Sequence, residues 1–262
     1  MSRNSPLDGN SPLDDEFEYL YELYHKNLPP LVSEPTLAPK ESSSPGSPTS
    51  GYKTYRRAAT TPLADTADSD FLKRLQQRAS YTPPTERRPI PNTELSTLLA
   101  YSYGEIREAG GDPRRPVASG GACYPLEIYP IVLDSPDVDC GIYHYNVRDD
   151  TLEQLQEGDY SEWVRTNWTW ITAADAVAAV FVITAIPERS ADKYGEMGYL
   201  FAGLEAGSVI QNLQLVATEL GIGSRPHNGL DYRAVRHQLQ LRDDEYLLST
   251  VAFGGATQVG SD

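Results

Sequence analysis

Three short stretches carry residues suited to holding a flat or phosphorylated ligand. Ser119-Gly120-Gly121-Ala122 stands just before an apolar run. Small residues let a backbone approach a ligand closely, and successive amides form an anion nest. A second glycine-rich loop, 220–229, holds Gly223, Ser224 and Gly229 after Gly221, which reads as a helix C-cap. Arg78-x-Ser80 sets a planar fork of donors beside a hydroxyl, a pairing that suits phosphate, with Arg87 and Arg88 as competitors for that contact. A tight turn, a helix cap and a solvated helix end explain the same residues, and spacing alone does not choose. The fourth feature is Lys193-Tyr194: the chain has five lysines, and after Lys73 there is one, Lys193. Tyr194 and Gly195 follow it at the entrance to a long helical pattern, where an ordinary surface lysine is the plain explanation. Asp231 and Glu127 read as capping or surface groups, and the four histidines are scattered. Cys123 and Cys140 belong to no metal-ligand spacing, so no metal is expected.

Elements at the right places are needed to bring these residues together. "DSDFLKRLQQRAS" predicts a helix capped by Asp68 or Ser69, and "NTELSTLLAYSYGEI" a second capped by Asn92 or Thr93. "LEIYPIVLD" and "GIYHYNV" predict strands, and "AVAAVFVITAI" at 176–186 a buried strand too short to cross a bilayer. "MGYLFAGLEAGSVIQNLQLVATEL" predicts a long, mostly apolar helix, "DYRAVRHQLQL" a short one, and "EYLLSTVAFG" a last strand. The alternation predicts an α+β domain, a central mixed sheet wrapped by helices.

Residues 1–51 differ in composition. "NSPLD" occurs at 4–8 and again at 10–14, and "PKESSSPGSPTSG" has a linker's composition, which predicts a largely disordered tail. Within it, Phe17, Leu20, Tyr21, Tyr24 and Leu28 fall at helical spacing, predicting a short helix near 15–28. Such a helix cannot bury its stripe alone, so docking on the domain, a second subunit or a partner is expected. The formal net charge of −15, from 37 acidic and 22 basic residues, argues against nucleic acid or anionic membrane as the main partner. The N-terminus shows no basic region followed by an apolar run, and a reduced, cytoplasmic protein is the expectation.

In order along the chain, Arg78-x-Ser80, "TELSTLLAYSYG", "SGGACYPLEIYPIV", "GIYHYNV", "DKYGEMGYLFAGLEAGSVIQNL" and "GIGSRPHNG" resemble the nitroreductase superfamily, over about residues 70–255. Within it they are most similar to the SagB/McbC-type (ThcOx-like) azoline dehydrogenases. The resemblance implies a nitroreductase-like flavin-binding domain at 70–262, joined to the tail by 52–69. It implies a homodimer with FMN at the subunit interface. Arg78 and Ser80 would meet the phosphate or ribityl chain; Ser119, Gly120 and Gly121 would line the isoalloxazine. Gln211 and Asn212 would lie near the flavin or dimer seam, and Gly223 and Ser224 near the reactive flavin edge. Lys193 and Tyr194 match the pair associated with oxidation, Lys193 as a base whose pKa is lowered by desolvation. The implied substrate is a peptide bearing thiazoline or oxazoline rings, in a pathway that includes a cyclodehydratase. A small-molecule reductase using NAD(P)H and a non-catalytic scaffold subunit are the competing implications. The chain departs from the family pattern at Thr82, Leu200 and Ser208, which would leave the phosphate to Arg87 or Arg88.

Overall fold

The computed structural model describes residues 21–22, 53–55, 57–80, 87–168 and 176–256. Helix α1 (Asp70–Gln77) starts at Ser69, whose hydroxyl accepts the Leu72 N–H at 3.3 Å. Helix α2 (Asn92–Tyr103) follows Pro91 directly and ends at Gly104. Asn92 is therefore the first helical residue rather than the cap; its N–H goes to the Asp137 carboxylate instead. A small hairpin, β1 (Arg107–Ala109) and β2 (Asp112–Arg114), leads to a 3-10 turn at Gly120–Ala122.

Six strands build the central sheet: β3 (Leu126–Val132), β4 (Gly141–Asn146), β5 (Thr151–Glu157), β6 (Ala179–Ala185), β7 (Ile222–His227) and β8 (Tyr246–Ala256). Their order is β5-β4-β3-β6-β8-β7. The α+β class and the helix-wrapped sheet stand as expected. The mixed pairing is refined, because every pairing among the described strands is antiparallel. Helices α3 (Ser161–Asn167), α4 (Glu188–Tyr194), α5 (Met197–Glu219) and α6 (Tyr232–Gln238) complete the fold.

Side chains alternate across the central strands, so each strand feeds two cores. Ile128, Phe181, Ile183 and Phe253 face Leu95, Leu98 and Leu99 of α2 and Ala202, Val209 and Leu213 of α5. On the other face Tyr129, Ile131, Val180 and Val182 meet Val164, Trp168, Val235 and Leu239. Strand β6 is buried along its whole length, which accounts for its unbroken apolar sequence. Among the described residues no helix is long and apolar enough to cross a membrane.

One sequence expectation is corrected here. Stretch 220–229 is not a loop: Ile222–His227 is edge strand β7, paired with β8 and irregular between Ile222 and Ser224. Lys193 and Tyr194 stand just before the long helix, as expected, and end a short helix, α4, that was not expected. Strand β5 and helix α3 were not expected at all. In β5 Leu152 and Gln156 are half-buried and the other residues are exposed. An edge strand with that pattern carries little period-two signal.

Most of the expected tail and linker lies outside the described residues. Tyr21 and Glu22 are described and helical. Tyr21 is buried, stacks on Tyr199 at 5.1 Å between ring centroids, and meets Tyr246 edge-on at 5.6 Å. Of the docking sites expected for this segment, the domain itself provides one. Residues 57–69 run exposed up to α1.

Candidate active site

The corner between α4 and α5 fixes the lysine–tyrosine pair. Gly195 takes φ 56° and ψ −141°, which stops α4 immediately after Tyr194. At Gly198 a Cβ would stand 2.8 Å from the Ala191 nitrogen, so only glycine lets the first turn of α5 pack on α4. As a result Tyr194 meets Phe201 of α5 edge to face, ring centroids 5.1 Å apart. Lys193 Nζ lies 5.4 Å from the Tyr194 ring centroid, within cation–π range.

Against this pair stands the small-residue turn. At Gly121 a Cβ would fall 2.6 Å from Tyr194 Oη and 2.7 Å from Lys193 Nζ. At Gly120 it would fall 2.9 Å from Phe201 Cδ2. The turn is strained: Gly121 has φ 62°, but Ala122 (56°) and Tyr124 (46°) are also left-handed. Non-glycine residues in that region cost about 1–3 kcal/mol each and persist only where neighbours fix them. Here the Tyr124 N–H donates to Ser119 Oγ at 2.9 Å, and the Ala122 N–H to the Ser119 carbonyl at 3.1 Å.

Beneath the turn lies a buried polar cluster that sequence reasoning did not find. Glu205 of α5 is 2% exposed and accepts the Tyr103 hydroxyl at 2.9 Å. Tyr103 Oη in turn accepts the Leu126 N–H at 3.1 Å. The Arg115 guanidinium sits 4.3 Å from the Tyr103 ring centroid and 4.6 Å from that of Tyr124. Burial pushes the Glu205 carboxyl up, against the opposing pull of the Ser119 and Tyr103 hydroxyls and Arg115. Burial, then the Glu205 charge, pushes the Tyr103 phenol well above its ordinary value. One signal was legible: Glu205 is a carboxylate four residues after Phe201, on the apolar face of a helix.

The structure thus joins Ser119, Gly120 and Gly121 to Lys193 and Tyr194. The other expected site residues stand on different elements. Arg78 is the half-buried C-cap of α1 and Ser80 is exposed beyond it. Gln211 is exposed and Asn212 half-buried in the second half of α5. Gly223 and Ser224 are buried in β7. Arg88 does not wait for a phosphate: it forks onto the Glu94 carboxylate, both contacts 2.7 Å. Arg87 is engaged by the Leu133 carbonyl and Ser161. Leu200 is 50% exposed, and the Ser208 hydroxyl donates back to the Leu204 carbonyl at 3.1 Å. Thr82 lies outside the described residues. The desolvation expected around Lys193 is not found in this chain, where the residue is exposed.

These features fit a planar cofactor with polar edges. Gly120 and Gly121 present backbone without Cβ atoms, and around Gly203 and Gly207 of α5 the space is open. Glu205 Oε2, Arg115 Nε and Gln214 Nε2 are buried without a hydrogen-bond partner, a costly state that a further polar group would relieve.

A polar cleft of about 390 Å³ elsewhere is lined by residues that include Glu127, Tyr129, His144, Glu153, Arg189 and Glu245, but not Lys193. Its charges are matched within the chain. His144 bridges Glu153 at 2.8 Å and Glu127 at 3.0 Å, and Arg189 pairs with Glu127. Glu127 is therefore a bridged, largely buried group, not the surface carboxylate expected. The Glu127 hydrogen bond leads the causes that raise the His144 pKa. A group raised on folding stabilises fully below its unfolded value, about 6.5, and loses that contribution as pH rises through its folded value. Melting temperatures against pH are expected to show His144→Gln less stable than the unaltered chain at pH 6, with the gap closing toward pH 9. A gap independent of pH would refute the bridge.

The domain is a sheet covered by helices on both faces, with a glycine turn set against a lysine–tyrosine pair. The family model for the nitroreductase family matches residues 76–255, and the chain belongs to that family of oxidoreductases. MJ1384 of Methanocaldococcus jannaschii, which carries a nitroreductase name, is 30% identical over 163 residues, 62% of this chain and 81% of that protein. The microcin B17-processing protein McbC of Escherichia coli is 31% identical over 126 residues, 44% of each chain. This chain thus matches less than half the length of McbC. Among solved structures, a chain of the E. coli microcin synthetase McbBCD complex with truncated pro-MccB17 superposes with a TM-score of 0.63 at 21% identity, covering 80% of both chains. A nitroreductase-fold protein of Desulfovibrio desulfuricans solved with FMN gives 0.52 at 15% identity, covering 75% of this chain and 91% of that one.

Proposed function

We propose that this chain is an FMN-dependent dehydrogenase that oxidises thiazoline or oxazoline rings in a ribosomally made peptide to thiazoles or oxazoles. The observation that carries the reading is the meeting of Gly121 with Lys193 Nζ and Tyr194 Oη. The relation to a microcin-processing protein supports the peptide substrate and a synthetase complex with a cyclodehydratase. FMN, when bound, supplies the acceptor for the two electrons the ring gives up. Ser119, Gly120 and Gly121 hold its ring system, with Gln211 and Asn212 of α5 near the seam; Arg78 and Ser80 serve its phosphate, and Gly223 and Ser224 its reactive edge.

The remaining chemistry belongs to the pair. Lys193, as the free amine, would take the proton from one of the two ring carbons that become trigonal, while the other gives up its hydrogen with the electron pair to the bound acceptor. Tyr194 stays edge-on to Phe201, orients the amine and passes its proton to solvent. Because Lys193 is exposed in one protomer, its desolvation comes from the flavin, the substrate and a second subunit. Met197, Leu200 and Leu204 are 47%, 50% and 64% exposed on α5 at spacings of three and four, an apolar stripe suited to a homodimer. Leu200→Asp/Leu204→Asp forfeits about 1.5–3 kcal/mol per leucine and is expected to weaken the dimer more than tenfold in sedimentation equilibrium. An unchanged dimer would move the interface elsewhere.

The deciding experiment incubates the full chain with FMN and a thiazoline-bearing peptide in air. A mass loss of about 2 Da per ring supports the reading. Rapid NAD(P)H-driven reduction of bound flavin, with no peptide oxidation, would assign the chain to the small-molecule reductases instead. A chain that takes up no FMN would fit the scaffold reading.

A further inference from the structure

We infer that Arg189 is a positioning residue, which pins helix α4 to the left-handed turn so that Lys193 and Tyr194 stand against Gly121; the kinetic part of this inference rests on the function proposed above. Both arms of its guanidinium are engaged. Nη1 donates to the Tyr124 carbonyl at 3.3 Å, and Nη2 grips the Glu127 carboxylate on β3. Glu127 is itself held by His144 of β4 at 3.0 Å, so the clamp is anchored in the sheet. A rigid fork of donors suits two acceptors at fixed positions better than an ammonium does.

The spacing along α4 gives this contact its consequence. Residues 189 and 193 are four apart in α4 and so lie on one face of it. Arg189 reaches the turn at Tyr124, and Lys193 Nζ lies 2.7 Å from where a Cβ on Gly121 would stand. The two contacts bracket the left-handed residues Gly121, Ala122 and Tyr124. Tyr124 is held on both sides, its N–H by Ser119 Oγ at 2.9 Å and its carbonyl by Arg189. The next carbonyl, of Pro125, accepts the Ile186 N–H at 2.8 Å. That backbone bond fixes where α4 starts; Arg189, three residues on, fixes which way its lysine face turns. The Arg189 side chain is 39% exposed, and an ion pair at such a site adds little to global stability, so orientation is its contribution.

The test compares Arg189→Met, Arg189→Lys, Glu127→Gln and the double variant Arg189→Met/Glu127→Gln with the unaltered full chain. Arg242→Met is the control, because Arg242 pairs with Asp244 on the same cleft. The first readout needs no turnover: amide hydrogen exchange, by mass spectrometry, over residues 119–124 and 188–195. In Arg189→Met these stretches are expected to exchange at least about threefold faster, a coupling at the lower end for residues in contact. Exchange in α3 and the melting temperature should stay as they were, as for a local opening. Arg189→Lys keeps the charge without the fork and should fall between. The double variant should go no further than Arg189→Met, because Glu127 reaches the turn through Arg189. The second readout is turnover: in Arg189→Met kcat falls about 10- to 100-fold with KM changed far less, as for a displaced catalytic group. Unchanged exchange of the turn in a folded Arg189→Met, an equal change in Arg242→Met, or additive effects of the two substitutions overturn the inference. So does an Arg189→Lys variant that matches the unaltered chain, and where Arg189→Met does not fold that comparison decides alone. If the unaltered chain oxidises no azoline, the proposed function fails while hydrogen exchange still decides the role of Arg189.

Discussion

Lys193→Ala is expected to slow azoline oxidation by about 10²–10⁴-fold, the contribution of a positioned general base, while FMN stays bound. The two effects separate because they belong to different elements. On the proposed reading the flavin would be held by the backbone of the Ser119–Gly121 turn, whose left-handed residues are tied together through Ser119 and Tyr124. Lys193 reaches that turn from the exposed last turn of α4, and the hydrogen bonds that Ser119 makes with Ala122 and Tyr124 do not involve it. Removing its side chain therefore removes the proton acceptor and little else. Lys193→Arg sharpens the point, since guanidinium keeps the charge but is not deprotonated in proteins. It should be as inactive as the alanine variant if the amine acts as a base. Visible absorbance after gel filtration measures retained FMN, and single-turnover mass spectrometry measures ring oxidation. A fully active Lys193→Ala enzyme would remove the proposed mechanism.

The main elements of this fold were legible because the strong signals are local. Strand β6 announces itself as an apolar run and α5 as a long apolar helix, and each is buried as its sequence requires. Ser69 and Asp231 cap their helices through side-chain oxygens, as their types predict. Elements exposed to solvent were illegible for the complementary reason. Strand β5 is held by hydrogen bonds to β4, and backbone pairing leaves no mark in the sequence. Helix α4 was equally hidden, since seven residues give too few turns for a helical period to show.

The site divides along the same line. Lys193, Tyr194 and the glycine turn were found through their order along the chain, and their contact is long-range, across more than seventy residues. The buried cluster below them escaped because each member has an ordinary explanation alone. Arg115 reads as one of a basic pair, Tyr103 as a core aromatic, and Glu205 as a polar position on a helix. Only their convergence, with Arg115 between two tyrosine rings and Glu205 accepting the Tyr103 hydroxyl, makes them a unit. His144 is a parallel case, a scattered histidine in sequence and a two-carboxylate bridge in space.

Gly121→Ala is expected to abolish most of the activity in a protein that still folds. Its Cβ would stand 2.6 Å from Tyr194 Oη and 2.7 Å from Lys193 Nζ, closer than real contacts allow. Both atoms are the far ends of side chains, so the pair swings aside while the backbone keeps its place. The residue would also take φ 62°, a left-handed conformation that costs a non-glycine residue about 1–2 kcal/mol. Ala122 already holds φ 56°, so the turn can carry such a residue. A displacement of about 1 Å at the reacting groups is worth on the order of 10²-fold in rate, far more than the stability cost predicts. Gly221→Ala separates the two contributions. Gly221 has φ 68° with nothing within 4 Å of its Cβ position, so it repeats the strain without touching the pair. Both variants should lose similar stability in thermal unfolding, and only Gly121→Ala should lose turnover. Equal activity in the two would mean that the contact between the turn and the lysine–tyrosine pair has no part in the reaction.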